Sequence, residues 1–138
     1  MSNVNFFQED CDYIIANQDV IAHWILDIIG NEKKKSGEIN IILCSDEYLL
    51  DLNQKFLERD TYTDVIAFDY NEPDLINGDI FISIDRVQEN AKQYDVAETV
   101  ELQRVIAHGV LHLLGYQDNT DVKKQKMRRL EDKYLQML

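Results

Sequence analysis

A chain of 138 residues is long enough for one hydrophobic core, and its 45% hydrophobic and 29% charged content are those of an ordinary globular protein. No run approaches the roughly 18 uninterrupted apolar residues of a membrane helix, and residues 1–5 lack the basic start and apolar stretch of a secretory signal, so a cytoplasmic protein is expected. The net charge of −12 argues against general affinity for nucleic acid, yet residues 123–138 carry six basic groups against two acidic ones, a balance of +4 that leaves −16 on the other 122.

In chain order, residues 4–7 read as a short first strand. Asn17 is placed to cap a helix running to about residue 29, with Val20, Ile21, Trp24, Ile25, Ile28 and Ile29 on one face. Gly30 and the Lys33-Lys34-Lys35 run end it. The β-branched run 39–44 predicts a strand. Ser45 and Asp46 open a second helix, with Glu47, Tyr48, Leu49, Leu52 and Phe56 in its register. Strands at 65–70 and 79–84 follow, separated by a loop that contains Pro73 and Gly78. Helices are predicted over 85–94, 98–114 and 121–138. With no repeat, low-complexity segment or linker, one domain over 1–138 is the economical organisation. The order β-α-β-α-β-β-α-α-α predicts an α+β fold, a mixed four-stranded sheet covered by about five helices. Cys11 and Cys44 are too few for a disulfide framework and read as reduced thiols, with Cys44 inside an apolar run.

His108 and His112 stand four residues apart in the helix that ends at Gly115. Four residues advance a helix by about 400°, so both imidazoles leave one face about 6 Å apart along the axis, the spacing two nitrogens need to share a zinc ion. Gly115 lets the backbone turn out of the helix, which brings Asp118 within reach as a third ligand in an H-x3-H-x2-G-x2-D pattern. Three protein ligands leave a fourth position for water, as in catalytic zinc sites. The competing reading is a pair of histidines packed near the core. In the zinc-peptidase pattern H-E-x-x-H, a glutamate follows the first histidine as general base; here that position is Gly109. A glycine there serves either the approach of a substrate backbone or close helix packing.

The stretch His108-Gly109-Val110-Leu111-His112-Leu113-Leu114-Gly115-Tyr116 resembles the signature of the YbeY family of bacterial metal-dependent endoribonucleases and ribosomal RNA maturation factors. Leu52-Asn53 with Thr63-Asp64-Val65-Ile66-Ala67-Phe68, then Gly78-Asp79-Ile80 with Ile82, and finally Met127 with Glu131 resemble further family blocks in the right order. The resemblance implies a zincin-like fold, one Zn2+ per chain and a single-strand-preferring endoribonuclease. Its expected substrate is ribosomal or other single-stranded RNA, with small-subunit ribosomal proteins as further partners. Two positions depart from the family. Its signature ends in Asp-His, where this chain has Gln117-Asp118. The family's arginine after Leu-Asn is replaced by Leu57, which leaves Arg59, or Arg104 one turn before His108, to steady charge on the phosphate. Each arginine could equally be an ion-pair partner among the many acids. His23 reads as a surface or partly packed residue. Lys123, Lys124, Arg128 and Arg129 form either an RNA phosphate-binding patch or a solvated helix face. The rival functions are a zinc metallopeptidase, which lacks its base at Gly109, and a non-catalytic ribosome-associated factor braced by a structural zinc.

Overall fold

The computed structural model describes residues 3–57 and 63–138. Its elements are β1 (Asn3–Glu9), α1 (Gln18–Asn31), β2 (Lys35–Cys44), α2 (Asp46–Leu57), β3 (Val65–Asp69), β4 (Leu75–Ser83), α3 (Ile84–Tyr94), α4 (Glu98–Leu113) and α5 (Asp121–Leu135). The strands form one mixed sheet in the order β1-β2-β4-β3. β1 and β4 pair parallel to β2, and β3 runs antiparallel to β4 at the edge. The α+β class and the element order are those the sequence predicts.

Alternation along the strands divides the apolar residues between two faces. Ile39, Ile41 and Leu43 of β2 and Ile76, Ile80 and Ile82 of β4 join the larger core with α1 and α4. Cys44 turns to the opposite face and packs with Leu49 of α2 and Ile66 of β3. α5 closes the larger core through Met127 and Tyr134. There the Trp24 indole donates to the Tyr134 carbonyl oxygen at 2.7 Å.

Several boundaries differ from expectation for identifiable reasons. β2 begins at Lys35 and β4 at Leu75, four residues earlier than their apolar runs, because each supplies the other's ladder partners: Lys35 pairs with Leu75 and Ser36 with Ile76. Pairing, not side-chain pattern, makes those residues extended. Gly78 therefore lies inside β4 and not in the preceding loop. Asn17 precedes α1 in the left-handed region (φ 58°) and caps nothing with its side chain; its carbonyl instead accepts from the Ile21 N–H at 3.1 Å. Val20 and Phe56 are 56% and 64% exposed, so the buried stripes of α1 and α2 are narrower than predicted. α1 passes through Gly30 to Asn31, and α5 stops at Leu135. Ser83 caps α3 by accepting from the Arg86 N–H at 3.2 Å.

Candidate metal centre

The helix that carries both histidines packs on the sheet at two positions where a side chain would clash. A Cβ on Gly109 of α4 would stand 2.6 Å from Ile80 Cγ2 and 3.4 Å from Val65 Cγ2. A Cβ on Gly78 of β4 would stand 2.5 Å from Leu113 Cδ2. Gly109 and Leu113 thus form the seam with the sheet, while His108 and His112, one residue earlier in each turn, leave the helix beside that seam. The glycine serves close packing. The space that a substrate backbone was expected to use is filled by Ile80 and Val65.

Gly115, at φ +100°, ends the helix in a Schellman turn: its N–H donates to the His112 carbonyl at 3.0 Å and the Tyr116 N–H to the Leu111 carbonyl at 3.1 Å. The turn also orients a histidine, since His112 Nδ1 lies 3.0 Å from the Tyr116 carbonyl oxygen. The chain then doubles back and sets Asp118 Oδ2 3.3 Å from His108 Nε2 and 3.7 Å from His112 Nε2. The two Nε2 atoms are 2.9 Å apart.

Those distances carry chemical information. His108 Nδ1 faces the Glu131 carboxylate at 2.7 Å and His112 Nδ1 faces a carbonyl, so each neutral ring donates from Nδ1 and keeps its lone pair on Nε2. Two lone pairs and a carboxylate oxygen then converge on one point, an arrangement that could hold a cation between them. Ligands held at about 2.0–2.1 Å around a tetrahedral ion are about 3.3–3.4 Å from one another, which is the middle of the observed range. His108, His112 and Asp118 are the group among the described residues that could hold a metal ion. Burial by itself would lower the His108 pKa, but the hydrogen bond and charge of Glu131, helped by Asp118, raise it above the ordinary histidine value. Burial and the neighbouring His108 charge lower that of His112.

Two hollows meet at this point. One is lined by Arg104, Lys124, Arg128 and Glu131, the other by β3 and the 115–118 turn, and Asp64, His108 and Asp118 belong to both. Burial pushes the Asp64 carboxyl above its usual pKa, opposed in part by the His108 charge. Arg104 is engaged by three carboxylates, Asp132 at 3.2 Å, Glu131 at 3.4 Å and Glu101 at 3.8 Å. Of the basic residues of α5, Lys124 and Arg128 reach the first hollow; Lys123 donates to Gln117 Oε1 at 3.1 Å, and Arg129 is exposed outside that lining. His23 is exposed on α1, away from the site lining, with Nδ1 2.8 Å from the Asp19 carbonyl. Arg59 lies outside the described residues.

Sequence reasoning assigned no role to Glu131 or Asp64. A signal for Glu131 exists in retrospect, for it occupies the buried stripe of α5 between Met127 and Tyr134, where an apolar residue is the ordinary choice. The family described as endoribonuclease YbeY matches over residues 3–138. A protein named endoribonuclease YbeY from Flavobacterium psychrophilum is 47% identical over 131 residues, covering 95% of this chain and 94% of its own. One of the same name from Cytophaga hutchinsonii is 48% identical over 133 residues, covering 96% and 93%. The solution structure of a Thermotoga maritima protein superposes with a TM-score of 0.67 at 27% identity, covering 97% of this chain and 87% of its own. Matched almost end to end by both comparisons, with the signature histidines at the meeting point of its two hollows, the chain belongs to the endoribonuclease YbeY family.

Proposed function

We propose that the protein is a zinc-dependent endoribonuclease that hydrolyses phosphodiester bonds in single-stranded RNA during the cytoplasmic maturation of ribosomal RNA, alongside small-subunit ribosomal proteins. The observation that carries this reading is the convergence of His108 Nε2, His112 Nε2 and Asp118 Oδ2 at the junction of two open hollows. A carboxylate in the family's usual histidine position keeps the donor set within zinc's preference for nitrogen and oxygen. His108, His112 and Asp118 would hold the zinc, which would supply Lewis acidity and a water acidified towards neutral pH.

The chain's own residues complete the chemistry. Lys124 and Arg128, on the wall next to His108, are placed to take the phosphates of a strand lying across the junction. In a chain of net charge −12, these two of the tail's six cations line a hollow that also carries Asp64, Glu101, Asp118 and Glu131. Asp64, whose carboxyl burial pushes above its usual pKa, lines both hollows beside His108. Gly109 supplies no carboxylate beside the site, and the packing of Ile80 against it leaves no room for one. This weighs against peptidase chemistry.

The test is cleavage of a ribosomal RNA fragment and of casein by wild type and His112→Ala, purified identically, with and without zinc. Zinc-dependent RNA cleavage that disappears in His112→Ala, with casein intact, is expected. Casein cleavage that requires His112 would favour a peptidase. Zinc-dependent folding with no cleavage of either would favour a binding factor.

A further inference from the structure

We propose that Glu131 is a positioning residue of the metal centre, its buried carboxylate holding His108 with Nε2 turned towards His112 and Asp118. The inference rests on reading those three residues as a metal shell. It concerns a helix, α5, that contributes no ligand.

Glu131 is 6% exposed and belongs to the face of α5 that buries Met127 and Tyr134. Glutamate is almost never buried to this degree unless paired, and both oxygens of Glu131 are engaged. Oε2 lies 2.7 Å from His108 Nδ1, and Oε1 lies 3.4 Å from Arg104 Nη1. The carboxylate is therefore held from two sides. Accepting from Nδ1–H selects the tautomer with its lone pair on Nε2, fixes the plane of the ring, and makes that lone pair a stronger donor.

The two histidines are not equivalent in this respect. His112 is held by the neutral carbonyl of Tyr116, which belongs to its own helix-ending turn. His108 is held by a full charge that arrives from another helix, 23 residues further along the chain. Docking of α5 against α4 thus sets the donor strength of the first ligand. It also accounts for the orientation of Arg104, whose guanidinium is shared with Glu131, Asp132 and Glu101.

The experiment measures zinc affinity by competition with a chromophoric chelator for wild type, Glu131→Gln, Glu131→Ala, Glu101→Gln and His112→Ala, together with thermal melting of each metal-free protein. Glu131→Ala is expected to bind zinc about 10- to 100-fold more weakly. Glu131→Gln retains an acceptor without the charge, is nearly isosteric, and should fall between wild type and Glu131→Ala. Glu101 is as deeply buried (3% exposed) and ion-paired to the same Arg104, so Glu101→Gln controls for the loss of a buried acid and should stay near wild type in zinc affinity. Wild-type affinity in both Glu131 variants, with His112→Ala impaired, would overturn the positioning role and leave the metal site intact. An equal loss in Glu131→Gln and Glu101→Gln would also overturn it, by reducing the effect to general burial of charge. Equal zinc binding by wild type and His112→Ala would instead remove the metal reading on which the role depends.

Discussion

Replacing Gly109 with alanine adds one methyl group at the contact between the histidine-bearing helix and the sheet. In an open helix the change is stabilising by about 1 kcal/mol, because alanine loses less backbone freedom than glycine. Here the new Cβ would stand 2.6 Å from Ile80 Cγ2, roughly 1 Å inside the 3.5–4.0 Å at which carbon atoms normally rest. Ile80 cannot give way cheaply. Its Cγ2 sits on a branched Cβ with a stiff χ1, its side chain is fully buried, and β4 is held between β2 and β3. Overpacking of this kind costs about 1–3 kcal/mol, and the immobile neighbour places the cost in the upper part of that range. The net expectation is a loss of about 1–2 kcal/mol, or about 3–8 °C in melting temperature for a chain of this size. Urea unfolding of the metal-free protein, followed by Trp24 fluorescence, reads it directly, since Trp24 is 2% exposed and joins α1 to α5. In an Ile80→Ala background, itself less stable by about 2–5 kcal/mol, the obstructing methyl is gone and Gly109→Ala should become stabilising. If Gly109→Ala alone raises stability while cleavage of RNA is lost, the packing argument is refuted and the glycine serves substrate approach after all.

Four further outcomes are expected. Elemental analysis should find about one zinc per chain in wild type and none in the His108→Ala, His112→Ala double variant; equal metal in both would remove the assigned site. Asp118→Ala should weaken zinc binding in a chelator competition while Asp118→His retains a site, and full affinity in Asp118→Ala would mean that another residue completes the shell. Lys124→Gln with Arg128→Gln should lower RNA affinity and reduce the salt slope by about 1.4, whereas Arg129→Gln should change neither much, and a titration giving the reverse order would separate the basic face from the RNA path. Cys44, whose pKa burial and then the neighbouring Cys11 push up to about 12, should resist alkylation at pH 8 until the protein unfolds, so rapid native labelling of Cys44 would contradict its place in the core.

The sequence by itself determined the element order and all three convergent donors. A histidine pair at helical spacing, a glycine able to turn the chain and an acid three residues beyond it are local features, and local geometry brings them together whatever the rest of the fold does. Tertiary structure decided what depends on partners distant in the chain. Lys35 and Leu75 are extended because each completes the other's ladder, which no pattern within either segment announces. Gly109 is explained by Ile80, 29 residues away, and Gly78 by Leu113. Glu131 stands in a block that resembles the family's, but its partner is visible only once α5 docks and its carboxylate meets His108. Periodicity reports which face of an element is buried, but only packing identifies the atoms that meet there. The positions where the two differ are those at which helix, sheet and metal centre are fitted to one another.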